Sequence, residues 1–286
     1  MTGIFSRSFV VGYFTPALAA WTTVVLLTRE SQPERFTSLR FGAQAVVVGA
    51  LSLLVGGVLT GLRYDIRTAF VEAKVLPGLV RERLRVREVR RLEAAERGAA
   101  AADTEERTHG YSILDQEFPD EHVRPTRFGN AFGAYQAYPF NRYGLDYSVA
   151  WKRIDVLLSP REVELQALAR SDVDFLLNLS VLGVLVGATL LAERLAHLSP
   201  VAAVSLLPLA AAWVTYRLAV RAERRLGHEQ RASFDLHRLE LYERLGMARP
   251  RSAADERATA EAANLVLQWR REGQPAPFYG EEYPES

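Results

Sequence analysis

The sequence predicts an all-α integral membrane protein, with four transmembrane helices in two hairpins and a mainly helical cytoplasmic part. Two observations lead to this fold class. The 286-residue chain contains four long windows that are almost free of charge. Its basic residues are concentrated outside the short links that join those windows. The apolar content of 49% averages the windows with Arg- and Glu-rich runs, and the net charge of +1 gives no reason to expect a nucleic-acid partner.

Four windows are long enough to cross a bilayer, which takes about 20 mainly apolar residues for about 30 Å of hydrocarbon. They are residues 9–27, 39–62, 175–192 and 198–216. Arg40 is the one charged residue inside them, and a charge at the middle of a span costs about 2.5–3.5 kcal/mol. We therefore expect four membrane spans rather than four buried helices of a soluble protein, which are rarely apolar on all sides at this length.

The first window also has features of a signal peptide, because Arg7 precedes an apolar run that contains the small residues Ala17 and Ala19. The apolar run continues without a polar break through Trp21 to Leu27. We therefore expect a retained span.

Basic residues beside the windows predict the orientation. The links 28–38 and 193–197 are too short for folded domains, so the windows pair into two hairpins. Four arginines follow the last window, and the second is followed by Arg63, Arg67, Lys74, Arg81, Arg83, Arg85, Arg87, Arg90 and Arg91. The links and their edges offer only Arg29, Arg35, Arg40 and Arg194. Since loops rich in Lys and Arg stay in the cytoplasm, both termini and the central segment are expected there.

These assignments divide the chain into four parts. They are a first transmembrane hairpin at 1–63, a cytoplasmic segment at 64–171, a second hairpin at 172–218 and a cytoplasmic helical tail at 219–286. In the tail, the runs 231–250 and 255–273 have the pattern of amphipathic helices, the second including Trp269. We expect these tail helices to pack against the aromatic central segment.

Small residues in the spans predict where helices pack closely, because lipid gives no hydrophobic force that drives helices together. The candidates are Gly42, Gly49, Gly56, Gly57 and Gly61 in the second span and Gly183 and Gly187 in the third. GxxxG spacing is common in membrane helices, so it predicts tight packing and only weakly predicts a dimer.

Gln44 and Asn178 are the most polar residues within the spans. Two interpretations remain open: an interhelical hydrogen bond, worth about 0.6–2 kcal/mol, or an amide that lines a pore. No Asp, Glu, His, Lys or Arg lies deep in a span, which argues against a proton-coupled transporter because such residues mark proton and ion relays.

A charged run follows the second span. We expect a helix leaving the membrane, a break at Pro77 and Gly78, an Arg-rich helix, and an Ala-rich linker near 98–107. The Arg-rich helix either lies on anionic lipid headgroups or is a solvated helix.

The stretch 124–147, RPTRFGNAFGAYQAYPFNRYGLDY, combines seven aromatic residues with repeated Pro and Gly. These breakers predict only short helices, such as 128–138 and one over 145–158. Next, Ser159, Pro160 and Glu162 have the pattern of a capping box at the start of a helix. Arg127, Asn130, Arg142 and Asp146 form a candidate polar cluster that either fixes turns through buried hydrogen bonds or binds a ligand.

The sequence offers no recognised catalytic, cofactor-binding or metal-binding motif. Cysteine is absent, the five histidines are scattered, and the motifs GxSxG, GxxxxGK[ST] and GxGxxG do not occur. An acidic loop contains Asp115, Glu117, Asp120, Glu121 and His122; a polar surface loop explains it better than a cation site. We therefore expect no catalytic residue, cofactor or metal.

Four elements carry a resemblance. PTRFGN (125–130), YPFNRYGLD (138–146), AWKRID and FDLHRLELYERLG (234–246) are similar to a group of bacterial multi-pass membrane proteins with PTRxGN, RYGxD and FDLHRxxLY elements and no assigned function. The likeness extends over about residues 124–246. It implies a bacterial multi-pass membrane protein without an assigned function, and it offers no catalytic residue that could be carried over to this chain.

The function expected from the sequence is that of a non-enzymatic membrane subunit or scaffold. It would contact the lipid bilayer, and it would self-associate or bind a protein partner through its cytoplasmic half. The alternative is an oligomeric ion channel with the Gly-rich spans around a pore. Its two hairpins with a cytoplasmic insert resemble bestrophin-like channels in topology alone, since no bestrophin motif is present. A third hypothesis, a membrane-bound enzyme, predicts a ligand pocket at the polar cluster.

Overall fold

The computed structural model describes residues 9–27, 34–118, 122–196 and 202–268. Within these ranges every regular element is a helix. Four of the helices are long and apolar enough to cross a membrane, which confirms the all-α membrane fold.

The helices are labelled here in chain order. They are α1 (Val10–Leu27), α2 (Glu34–Thr37), α3 (Phe41–Gly61), α4 (Arg63–Glu72), α5 (Gly78–Ala99), α6 (Thr104–Glu117), α7 (Arg127–Tyr143), α8 (Tyr147–Leu157), α9 (Pro160–Ala196), α10 (Leu206–Arg244) and α11 (Ala253–Leu267). The first turn of α1, Val10–Phe14, is π-helical, and a 3-10 turn at Ala202–Ser205 precedes α10.

The four membrane helices are α1, α3 and the apolar parts of α9 and α10. At most 33% of the residues in any of their apolar windows are buried inside the protein. Most of these apolar side chains are therefore not covered by the protein itself. Hydrocarbon solvates such side chains, whereas water does not. Residues 28–33 and 197 of the predicted links, and residues 198–201 of the fourth window, lie outside the described residues.

The chain divides into two compact units whose boundaries fall within α9 and α10. Unit 1 comprises Met1–Val75 and Ala167–Glu223, and unit 2 comprises Leu76–Gln166 and Arg224–Ser286. In unit 1, α1 packs on α3, where Tyr13 and Leu59 are buried together with Leu182 of α9. The Ser180 hydroxyl of α9 donates to the Ala212 carbonyl of α10 at 3.0 Å.

Unit 2 is built by helices that are neighbours in sequence. Helix α5 packs on α6, α6 on α7, and α7 on α8. The crossing of α5 and α6 is close because Gly110 has no side chain: a Cβ at this position would overlap the backbone of Gly98 and Ala99. The linker predicted near 98–107 is therefore a short turn between two packed helices.

The main core of unit 2 confirms that the tail helices pack against the aromatic central segment. Leu145, just before α8, and Ile154 of α8 are buried against Phe234 and Tyr242 of α10 and against alanines of α11. The predicted Trp269 lies outside the described residues. The aromatic rings continue this core, with Trp151 stacked on Tyr147 at a centroid distance of 5.7 Å.

Helix α7 is longer than the sequence predicts. A helix ending at 138 is expected because Pro139 cannot donate a backbone hydrogen bond, yet α7 runs through Pro139 to Tyr143. It ends at Gly144, whose left-handed φ of 81° glycine adopts without strain. Burial of Pro139 and the core formed just beyond it outweigh the lost hydrogen bond.

The start of α9 confirms the predicted capping box. Glu162 Oε2 accepts hydrogen bonds from the Ser159 backbone N–H at 2.8 Å and from the Ser159 hydroxyl at 2.6 Å. The helical break predicted at Pro77 and Gly78 is also confirmed, since α4 ends at Glu72 and α5 begins at Gly78.

Candidate functional site

Unit 2 contains a buried network of charged side chains where α5, α6, α7 and α10 meet. Glu117, at the end of α6, is 2% exposed and forms ion pairs with Arg91 of α5, at 2.8 Å, and with Arg224 of α10. Arg91 also pairs with the buried Glu88. Burial, and secondly the charge of Arg91, lower the pKa of Arg224.

Asn130 belongs to this network. Its Nδ2 donates to Glu88 Oε2 at 3.3 Å, and its Oδ1 accepts the backbone N–H of Arg124 at 2.7 Å. The side chain is buried at the first turn of α7, where the Thr126 hydroxyl accepts the Gly129 N–H as the N-cap. Both ends of the amide are used, so Asn130 links α5, α7 and the chain before α7.

Arg142 lies in a different environment, on the exposed last turn of α7. It lines an open pocket of about 350 Å³ whose walls include Leu114 of α6, Phe118 directly after α6, and Tyr138 and Asn141 of α7. Its pKa is raised, first by a hydrogen bond with Tyr143. The pocket is open to solvent on unit 2.

The tyrosines next to Arg142 share one carboxylate. Tyr138 and Tyr143 donate to Asp235 Oδ1 of α10 at 2.9 and 2.6 Å. Burial, and then the hydrogen bond to Asp235, raise the pKa of both phenols. Arg238 lies over the Tyr143 ring, 4.1 Å from its centroid. The phenols therefore stay protonated and act as donors.

Asp146 and Arg127 complete the predicted cluster. Asp146 is the N-cap of α8: its Oδ1 accepts the Ser148 backbone N–H and hydroxyl, both at 2.8 Å. Its own N–H donates to Asn264 of α11 at 2.8 Å. Arg127 begins α7 and is partly buried. Asn130, Arg142 and Asp146 thus bond to three different sets of partners rather than converging on one ligand position.

The acidic loop of the sequence is divided by the fold. Asp115 accepts from Arg231 at 2.7 Å, and Glu117 lies in the buried network. Asp120 and Glu121 lie outside the described residues. Among the residues that the structure describes, no three His, Asp or Glu side chains are grouped so that they could hold a metal ion.

The glycines predicted as packing positions fall into two sets. On α9, a Cβ at Gly183 would lie 2.9 Å from the Pro208 carbonyl oxygen of α10. A Cβ at Gly187 would lie 2.6 Å from Leu209 Cγ of α10. On α3, a Cβ at Gly56 would lie 3.4 Å from the backbone of Phe14. The positions with nothing within 4 Å are Gly42, Gly49, Gly57 and Gly61.

The amides of both polar span residues bond within unit 1. Asn178 Nδ2 donates to the Gly12 carbonyl at 2.8 Å, inside the π-helical turn of α1. The backbone carbonyls of a π turn bond in a different pattern from those of an α-helix. The Asn178 amide donates to one of these carbonyls. Gln44 Nε2 donates to the Phe36 carbonyl at 3.1 Å, which joins α2 to α3.

Two polar pairs of unit 1 were missed by the sequence analysis. The Tyr13 hydroxyl donates to Asp174 Oδ2 at 2.7 Å, and Arg67 binds both oxygens of the fully buried Glu223 at 2.6 Å. Each pair joins residues more than 150 positions apart, so no local spacing could have identified them. Arg67 was interpreted only as part of the basic flank of the second span.

The site is therefore a folded, internally paired charge network with one open pocket beside it. Such a network fixes helices relative to one another, and the pocket offers a surface with aromatic walls and an exposed guanidinium. No family model, no curated protein and no solved structure matches this chain.

Proposed function

We propose that the protein is a non-enzymatic membrane subunit that binds a protein partner through the cytoplasmic part of the chain. The observation that carries this proposal is the open pocket of about 350 Å³ beside Arg142. Its walls combine Leu114, Phe118 and Tyr138 with the polar groups of Asn141 and Arg142 and with the Asp115–Arg231 ion pair. Aromatic residues and Arg are the types that dominate binding energy at protein interfaces.

The surroundings of the pocket support a protein partner. Phe140, on the same last turns of α7, is 61% exposed, and Tyr111 of α6 is also exposed. Large exposed apolar side chains next to an arginine fit a peptide with an apolar residue and a carboxylate. The non-enzymatic part of the proposal is supported by the buried ionisable groups nearby, which are paired with each other.

Site-specific photo-crosslinking in native membranes tests this proposal. A crosslinking residue in place of Asn141 should give one adduct of defined mass, and Arg142→Glu should abolish it. The matched control carries the crosslinker at Arg244, which is exposed on α10 and pairs with Glu240. Equal adducts at both positions, or none at Asn141, would reject a partner at the pocket.

We also propose where the chain is located. The distribution of basic residues favours a cytoplasmic position for both termini. The cytoplasmic membrane of a bacterium, and membership of the group with PTRxGN, RYGxD and FDLHRxxLY elements, are supported by the sequence resemblance alone.

An oligomeric channel is the second candidate. It is favoured by four glycines of α3, Gly42, Gly49, Gly57 and Gly61, where no atom of the described residues lies within 4 Å of an added Cβ. A second copy of the chain can approach α3 closely at such positions. The tests are molecular mass in detergent and ion flux in liposomes, with Gln44→Leu and Asn178→Leu as variants. A monomer without flux would reject the channel.

A further inference from the structure

One face of α5 is turned away from the rest of unit 2. Positions 79, 83, 86 and 90 lie on one side of a helix, because residues three and four apart are neighbours on its surface. Leu79 is 81% exposed, and Val86, Arg83 and Arg90 are also exposed. The opposite side of α5 holds the buried Glu88 and Ala95.

The arginines of this face differ from those of the buried side. Arg91 is partly buried and pairs with Glu88 and Glu117. Within the described part of the chain, Arg83, Arg87 and Arg90 form no ion pair. Their charges are therefore available to an external anion.

The same residues line a shallow groove of about 600 Å³ along α5. Its lining includes Leu79, Val86 and the three unpaired arginines, and Glu82 is its one carboxylate. We call Leu79, Arg83, Val86, Arg87 and Arg90 the basic face. The groove therefore combines exposed apolar side chains with cationic ones, as helices that lie in the headgroup region do.

We propose that the basic face binds the headgroups of anionic phospholipids, with Leu79 and Val86 at the boundary of the acyl chains. The chain itself supports this occupant over an acidic protein. The membrane helix α3 ends at Gly61, and only α4 and a short loop precede α5. The ten-residue α4 is about 15 Å long. Val75 and Leu76 of that loop are also exposed apolar residues.

The basic face and the partner pocket are different surfaces of unit 2, and lipid binding at the basic face does not require a partner in the pocket. Arginines bury their apolar stems while their guanidinium groups reach the phosphates. Attraction between these arginines and an anionic surface weakens as salt screens it. Binding should therefore need anionic lipid and fall at high ionic strength.

The absence of cysteine from the chain permits a direct test. Leu79→Cys is labelled with an environment-sensitive fluorophore, and the full chain is placed in lipid nanodiscs, which leave both membrane faces accessible. The discs contain phosphatidylcholine alone or with phosphatidylglycerol. Phosphatidylglycerol should shift the emission to the blue and reduce quenching by an aqueous quencher by about twofold, and added salt should reverse both effects.

Two triple variants of the labelled chain separate the basic face from net charge. Arg83→Gln, Arg87→Gln and Arg90→Gln together should abolish the lipid response. The matched control, Arg244→Gln, Arg249→Gln and Arg251→Gln, removes the same charge at exposed positions of unit 2 and should keep the response. Far-UV circular dichroism confirms that both remain helical.

Three outcomes would overturn the proposal. The first is an identical signal in neutral and anionic discs. The second is an equal loss of response in the control variant. The third is a label that the aqueous quencher reaches in every purified sample and that is protected from it only in native membranes. That result would mean that an acidic protein, and not lipid, covers the basic face.

Discussion

Glu117 is a buried carboxylate whose charge depends on two guanidinium groups. Arg91 and Arg224 approach it from α5 and α10, and the desolvation of a buried ion costs several kcal/mol unless it is compensated. Burial, and then the charge of Arg91, lower the pKa of Arg224, so both disfavour the charged form of Arg224.

Replacing Glu117 by glutamine should therefore lower the free energy of unfolding by about 3 kcal/mol, the low end for a broken buried pair, because partly buried Arg224 loses its counter-charge while Arg91 keeps Glu88. The matched control is Glu243→Gln on α10. Glu243 pairs with Arg249, and both side chains are exposed, at 47% and 65%, so that change should cost about 1 kcal/mol or less. Denaturation of the detergent-solubilised protein measures both, and equal losses would contradict the network.

Glu162 should make the free energy of unfolding depend on pH. Hydrogen bonds from Ser159, followed by that with His237, lower its pKa from 4.5 to about 2. Glu162 precedes the apolar window of α9. Because the folded pKa is depressed, its stabilisation is present above pH 4.5 and is lost as the pH falls toward 2. The difference in unfolding free energy between wild type and Glu162→Gln should shrink over this range. A constant difference would contradict the assignment.

At the scale of helices, the sequence predicts that a helix is present more reliably than it predicts how long that helix is. The four apolar windows, the capping box at Ser159 and the break at Pro77 are local signals, and the structure confirms them. The extension of α7 past Pro139 depends on a core that includes residues of α10 and α11. Local propensity contains no information about such partners, so the predicted helix is too short.

The contact between α9 and α10 gives a test at this scale. A leucine at Gly183 would place its Cβ 2.9 Å from the Pro208 carbonyl oxygen and 3.0 Å from Ala212 Cβ. We expect Gly183→Leu to lower the free energy of unfolding by about 1–3 kcal/mol through overpacking. Unfolding in sodium dodecyl sulfate, followed by circular dichroism, measures this change.

The matched control for Gly183 is Gly57→Leu on α3, where a Cβ would meet nothing within 4 Å. Both variants gain the same helix propensity, so their difference isolates packing. Gly57→Leu should leave the stability of the monomer within about 1 kcal/mol of wild type. If Gly57→Leu proved as harmful as Gly183→Leu and also changed the mass in detergent, a second copy would cover that face of α3.

For the whole molecule, sequence pattern predicts the membrane fold because the bilayer imposes length and polarity on every span. The candidate site could be predicted only in part. Asn130 was singled out from its local stretch, but its partner Glu88 is 42 residues away. Glu117 was interpreted as a surface residue, since nothing in its own loop shows that Arg224 will approach it. Long-range ion pairs depend on the fold and not on spacing.

The orientation of the chain yields a prediction on the same scale, again because no native cysteine interferes. Basic residues cluster after the second and fourth windows and are few in the links, so the links should face away from the cytoplasm. In intact cells, Ser38→Cys should react with a membrane-impermeant maleimide. Thr108→Cys and Ser252→Cys should react only after the cells are permeabilised. All three are measured by a mass shift of the protein. Labelling of Thr108→Cys or Ser252→Cys in intact cells, with Ser38→Cys protected, would invert the topology and place the pocket beside Arg142 and the basic face of α5 outside the cytoplasm.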